Sequence, residues 1–222
     1  MSSEKWILGW IVYSLFAALS VHTALAAEAA IAGKVIHVQG AAFTNHRESS
    51  DNLSLGSEVL VGDHIVTGHN TRLGLRMVDG TVLSLGADTE FAINDYRYQE
   101  QEHQGTARLE LIKGVFRAVT GAIGKLKERD FKVQTSIGTI GIRGTDFWGG
   151  FYFTKALDVA LLGGKGIYIE NAAGRVEITK TGEGATVHRA YKPPSAPIRW
   201  SDQKLSAAKQ SVTWEETDPA AK

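Results

Sequence analysis

Apolar and polar residues alternate along most of this chain with the two-residue period of half-buried strands. Leu73, Leu75 and Met77 share one side of such a run, and Leu83 and Leu85 continue it beyond Asp79-Gly80. An Asp-Gly pair between alternating segments predicts a tight hairpin turn with positive φ at both central residues. Further alternating pairs occur at Phe91 and Ile93, Leu109 and Leu111, Phe131 and Val133, and Phe151 and Phe153. Val159 and Leu161, Ile167 and Ile169, and Val176 and Ile178 continue the pattern, with Asn171 to Gly174 reading as a hairpin loop. Many short strands punctuated by glycine predict an all-β fold, a rolled sandwich or a short β-solenoid-like stack. The densest small-residue stretch is Ser136 to Phe147, where Gly138, Gly141 and Gly144 recur every third residue. Such spacing disfavours a helix and suits strands whose layers approach closely.

Four segments depart from the alternation. Lys5, the apolar run Trp6 to Val21 and the small-x-small triplet Ala24-Leu25-Ala26 predict a signal helix, with a signal peptide over residues 1–26. A retained signal anchor is the alternative, although the run is short against the roughly 17–25 residues of a spanning helix. Gly121 to Asp130 carries Lys125, Lys127, Glu128 and Arg129 and predicts a mobile charged loop. Pro193, Pro194 and Pro197 should end the sheet, because proline cannot donate to a ladder. Beyond them, Leu205, Ala208 and Val212 predict a short helix within Ser201 to Trp214, capped by Ser201 or Asp202. The division is therefore a signal peptide at 1–26, an all-β domain at 27–192, and a break, helix and flexible tail at 193–222.

Basic and acidic side chains balance at 24 each. That composition argues against nucleic acid, which demands a strongly basic surface. Cysteine is absent, so neither disulfides, thiol chemistry nor a lipid anchor on a lipobox cysteine is available. An exported chain of this kind must be held together by its apolar core.

The chemistry on offer is sparse. His64 and His69 beside Asp63 are spaced to point to opposite sides of a strand, and a metal site needs three or four converging ligands. Gly163-Gly164-Lys165-Gly166 lacks the spacing of a phosphate loop and reads as a hairpin turn. Ser84, Ser136 and Ser211 sit in no nucleophile-elbow sequence. No catalytic residue, metal ligand or cofactor is assigned. Arg143 is the most pointed polar residue, either an inter-layer clamp paired with Asp63, Asp146 or Asp158, or an anchor for an anion. Phe147, Phe151 and Phe153 are expected in the core, with Trp148 or Tyr152 nearer the surface. Tyr96 and Tyr98 flank Arg97 as a second surface, so Tyr96, Tyr98, Trp148 and Tyr152 form the candidate binding set.

Taken in order, several blocks resemble the FecR family. They run from Gly33-Lys34-Val35 through Val61-Gly62-Asp63-His64-Ile65-Val66-Thr67 and Val78-Asp79-Gly80-Thr81 to Leu111-Ile112-Lys113-Gly114-Val115-Phe116. Phe131 to Thr135, Gly141-Ile142-Arg143-Gly144-Thr145-Asp146-Phe147 and Val159-Ala160-Leu161 complete them. The resemblance implies family-motif roles for Gly62, Asp63, Thr67, Asp79, Gly80, Gly141, Arg143, Gly144, Thr145 and Phe147. Only Met1 to Lys5 precede the apolar run, so the resemblance implies a periplasmic binding or sensing module rather than a complete transmembrane regulator. The expected function is non-catalytic protein binding, scaffolding or envelope sensing, with an envelope protein or cell-wall component as partner and edge-strand addition as one mode. The alternatives are a peptidoglycan or polysaccharide module and an accessory to sigma-factor or iron-uptake signalling.

Overall fold

The computed structural model describes residues 29–46 and 49–214. The expected signal peptide and the tail at 217–222 lie outside the described residues. Eighteen strands and one short α-helix follow in order. The first nine strands are β1 (Ile31–Gln39), β2 (Ala42–His46), β3 (Ser49–Asn52), β4 (Glu58–Leu60), β5 (His64–Thr67), β6 (Arg72–Met77), β7 (Val82–Leu85), β8 (Glu90–Gln99) and β9 (Gln104–Lys113). The rest are β10 (Val115–Val119), β11 (Asp130–Thr135), β12 (Gly138–Ile142), β13 (Thr145–Gly150), β14 (Leu157–Gly164), β15 (Ile167–Asn171), β16 (Gly174–Ile178), β17 (Glu183–Val187) and β18 (Ile198–Arg199), with helix α1 at Asp202–Gln210.

The strands form two nine-stranded sheets. Sheet I runs β18-β17-β14-β13-β10-β7-β6-β1-β4, and sheet II runs β16-β15-β12-β11-β9-β8-β5-β2-β3. The chain lays down one or two strands in one sheet, crosses to the other, and returns. Both sheets therefore grow in the same direction along the sequence, as in the rolled, solenoid-like stack that the alternation predicts. Neither closes into a barrel, and pairing is antiparallel except between β9 and β11. Between the sheets lies one continuous core containing Leu73, Leu75, Leu83, Leu85, Phe91, Ile93, Leu109, Leu111, Phe116, Phe131, Ile140 and Phe147. Each such side chain withdrawn from water contributes about 1.5–3 kcal/mol, which is how a cysteine-free chain holds two sheets together.

Local details differ from the expectations in four places. At Asp79-Gly80 only Gly80 has positive φ, at 82°. The amide of Gly80 bonds to Met77 O at 2.9 Å and that of Met77 to Thr81 O at 2.8 Å, so the loop is one residue longer than a type I′ turn. The run at Gly163 to Gly166 is no hairpin: β14 pairs with β13 and β17 in sheet I, whereas β15 pairs with β12 and β16 in sheet II. Residues 121–130 are not a free loop at their start, because Ile123 opens a 3-10 turn and is fully buried. Finally, the sheet does not stop at the prolines. Pro197 is followed by β18, a two-residue edge strand on β17, where a missing donor costs nothing.

Candidate functional site

The motif residues act mainly at the crossings between sheets. Gly62 adopts φ 94°, and the next residue, Asp63, accepts the Leu60 amide at 2.8 Å through Oδ2. Thr67 ends β5 just before the chain leaves sheet II. Its hydroxyl accepts the Thr89 amide at 2.9 Å and donates to Gly86 O at 2.6 Å. Thr89 repeats the device, accepting the Val115 amide at 3.0 Å and donating to Val115 O at 3.2 Å. Thr120 does the same with Thr145, whose own hydroxyl donates to Gly163 O at 2.5 Å. A threonine hydroxyl offers donor and acceptor together, and so satisfies backbone groups that a sheet change strands away from the ladder.

Asp79 ties the two sheets through its side chain. Its carboxylate accepts the Thr81 amide (2.9 Å), the Thr81 hydroxyl (2.9 Å), the Tyr96 hydroxyl (2.7 Å) and the Ile123 amide (3.0 Å). Tyr96 on β8 is 1% exposed, so it belongs to the core and not to the expected surface. Burial, and then the adjacent Asp79 carboxylate, push its phenol well above the usual tyrosine range.

The glycine-rich stretch folds as β12, a bend and β13. A Cβ on Gly141 would lie 2.0 Å from Cζ of Tyr168, whose ring covers this glycine while the Arg175 guanidinium sits 3.6 Å above the ring centroid. Gly144 needs its positive φ of 85° for the bend. Arg143 is exposed at that bend and pairs with Glu177 at 2.5 Å, so it is no buried clamp. Of its expected partners, Asp146 instead takes a bidentate bond from Arg117, both contacts at 2.8 Å. That bond is the main cause raising the Arg117 pKa. Phe147 packs edge-on against Phe116 at 5.4 Å and Phe131 at 6.5 Å, as expected of a core residue.

The four candidate surface aromatics do not form one surface. Tyr96 is buried, and Tyr98 is half-buried against the core. Trp148 is 0% exposed, because α1 folds back over the outer face of sheet I and covers it. Its indole N–H donates to Ser211 Oγ at 3.0 Å. Tyr152 remains 52% exposed, 6.4 Å from the Trp148 ring. The structure adds Phe153 and Trp200 to this cluster, at 5.6 and 6.0 Å from Trp148. At its centre Lys204 Nζ lies 2.9 Å from Asp158 Oδ1, 3.9 Å from the Trp200 centroid and 4.8 Å from that of Phe153. Asp158 also accepts the Thr186 hydroxyl at 2.7 Å. The signal for Lys204 was its place in the first turn after Ser201, which caps α1 by accepting the Lys204 amide at 3.2 Å.

His64 and His69 do not converge. His69 pairs with Asp88 at 3.0 Å on the surface, and among the described residues no three metal-ligating side chains come together. Ser84 lines a cavity of about 340 Å³ with Arg117, Val212, Thr213 and Trp214, while Ser211 donates to Ala208 O. The structure thus gathers Trp148, Tyr152, Phe153, Trp200 and Lys204 into one aromatic, cation-bearing cluster on the outer face of sheet I.

The FecR protein family model matches residues 63–165. Two crystal structures of a candidate anti-sigma factor from Parabacteroides distasonis resemble the chain. One has a TM-score of 0.50 at 17% identity, with 65% of this chain and 63% of that chain covered. The other has a TM-score of 0.49 at 18% identity, with 65% and 62% covered. The match spans less than two thirds of each crystallised chain, and the likeness at this identity is one of fold. No curated protein matches the sequence. The matched stretch runs from the aspartate that follows the Gly62 turn to the crossing after β14, and over these residues the chain is similar to the FecR protein family.

Proposed function

We propose that this protein is a non-catalytic, periplasmic signalling accessory that works by binding another protein of the cell envelope, in the context of sigma-factor or iron-uptake regulation. The observation that carries this reading is the similarity to the FecR protein family over residues 63–165. The crystallised relative of like fold is named as a candidate anti-sigma factor, which supports the same signalling context. No helix among the described residues is long and apolar enough to cross a membrane.

The patch around Tyr152 is the proposed contact surface. Ile198, 64% exposed on the edge strand β18, is a further exposed apolar residue of sheet I. A polysaccharide platform is less well supported, because sugar stacking needs open aromatic faces and Trp148 lies under α1.

In-cell photocrosslinking from a probe at Tyr152 tests the reading, with a probe at exposed Leu55 as control. The expected result is a discrete envelope protein captured at Tyr152 alone, together with an altered sigma-factor-dependent transcript profile when the gene is deleted. Capture of bulk envelope proteins from both positions, with transcription unchanged, would refute it. Sequencing the N-terminus of the mature protein checks export, with cleavage expected after Ala26.

A further inference from the structure

Residues 198–214 run across the outer face of sheet I from β18 toward β1, and three glycines floor their path. A Cβ on Gly184 would lie 2.4 Å from the Trp200 ring, one on Gly86 2.5 Å from Ser211 O, and one on Gly74 2.7 Å from the Trp214 ring. Between these seats, the Asp158 carboxylate, which also accepts the Thr186 hydroxyl, accepts from the Lys204 ammonium, and the Trp148 indole N–H donates to the Ser211 hydroxyl oxygen. The groove is therefore shaped and polarised for one kind of segment.

Its grip is uneven. The first half of the cover is held by an ion pair, two cation–π contacts and the β17–β18 ladder. The far end rests on a Trp214–His37 stack at 4.9 Å and a 3.3 Å bond from Arg72 Nη2 to Gln210 O. Around it, His37 Nε2 and Arg72 Nε are buried without partners. Ser84, 7% exposed, lines the 340 Å³ cavity beside Val212 and Trp214. Gly74, Gly86 and Trp148 lie within the stretch similar to the FecR family, whereas the cover lies outside it.

We propose that the outer face of sheet I is a docking groove for a basic–aromatic segment of a partner protein, and that residues 198–214 are its tethered occupant. The partner segment carries aromatic rings for the seats at Gly184 and Gly74, a lysine or arginine for Asp158, and a small hydroxyl residue for Trp148. Entry begins at Thr213–Trp214, beyond buried Val212, where polar groups beneath the cover lack partners. A tethered occupant competes at an effective concentration of about millimolar, so the groove stays closed until the cover is loosened. This inference rests on the protein-binding reading above and names the chemistry of the partner.

The test uses the full chain carrying Lys204→Ala and Trp214→Ala, which loosen the cover and leave the floor intact. A fluorescein-labelled peptide with the sequence of residues 198–214 is titrated by anisotropy, while circular dichroism checks folding and hydrogen exchange checks opening. The peptide is expected to bind the opened chain at least about tenfold more tightly than the unaltered one. Adding Gly74→Val, which fills the Trp214 seat, is expected to abolish that gain. Equal binding to both chains, or none to an opened and folded chain, overturns the proposal. Concentration-dependent dimerisation of the opened chain without peptide also overturns it, since the occupant would then be a second copy. Should the double variant fail to fold, Trp214→Ala alone carries the same comparison. The assay uses purified protein, so its failure is separable from a failure of the in-cell crosslinks.

Discussion

The outer faces of the two sheets begin from the same alternation and end in opposite states. Sheet II turns charged residues to water: Lys113 pairs with Glu90, Arg108 with Asp130 at 3.1 Å, and Arg175 with Glu170 at 3.3 Å. Sheet I turns out Gly74, Ser84, Trp148, Ala160 and Gly184 beside one Arg117–Asp146 ion pair, and is covered by residues 198–214. A sheet face of charged side chains is complete in solvent. A face of glycine, alanine and tryptophan is a surface awaiting a cover, because its apolar area is large and its glycines leave room for one.

The heaviest test of this contrast is Trp148→Ala. Removing a fully buried indole from beneath α1 is expected to cost about 3–5 kcal/mol, measured by denaturant unfolding monitored by far-ultraviolet circular dichroism. A loss under about 1 kcal/mol would mean that the cover contributes little and that both outer faces are equivalent.

Lys204→Ala comes next. It strands the Asp158 carboxylate, 3% exposed, with only the Thr186 hydroxyl as a bonded partner. Breaking a fully buried pair costs about 3–5 kcal/mol, but the Lys204 side chain is 31% exposed, so about 2 kcal/mol is expected. Adding Asp158→Asn should recover part of that loss, because the stranded charge is then gone. A double variant no more stable than Lys204→Ala alone would show that the cover is held by its aromatic rings rather than by the ion pair.

On sheet II the corresponding aromatic is Tyr168, whose ring lies over Gly141 beneath Arg175. Tyr168→Ala is expected to cost about 1 kcal/mol, the scale of one exposed cation–π contact and a modest area of burial. The same unfolding assay measures it. A cost equal to that of Trp148→Ala would erase the distinction between a covered face and a solvated one.

What could be read from the sequence divides along the same line. Alternation and glycine placement are local signals, so the strands, the hairpin at Asn171–Gly174 and the capped terminal helix were legible. Which hairpins share a sheet was not: Gly163–Gly166 has the composition of a turn, yet it carries the chain from sheet I to sheet II. Period-2 alternation also names two faces without saying which is wet. Trp148 reads as an outward aromatic and is outward from its sheet. Only residues some fifty positions later in the chain, Trp200 to Val212, decide that it is buried. Arg143 failed for a related reason, since its partner Glu177 belongs to the next hairpin and not to the nearby aspartates.

The smallest expected effect is the sharpest check on sheet II. Arg108 Nη2 meets Asp130 at 3.1 Å with most of the guanidinium in water, and Lys132 contacts the same carboxylate at 3.4 Å. Removing Arg108 therefore leaves Asp130 both solvated and still paired. Arg108→Ala is expected to change stability by less than about 0.5 kcal/mol, and the difference should shrink in high salt as the remaining charges are screened. A loss above about 1 kcal/mol that persisted in high salt would point to packing by the arginine stem across β9 and β11. The charged face would then be structural in its own right, and the possession of a cover would no longer separate the two sheets.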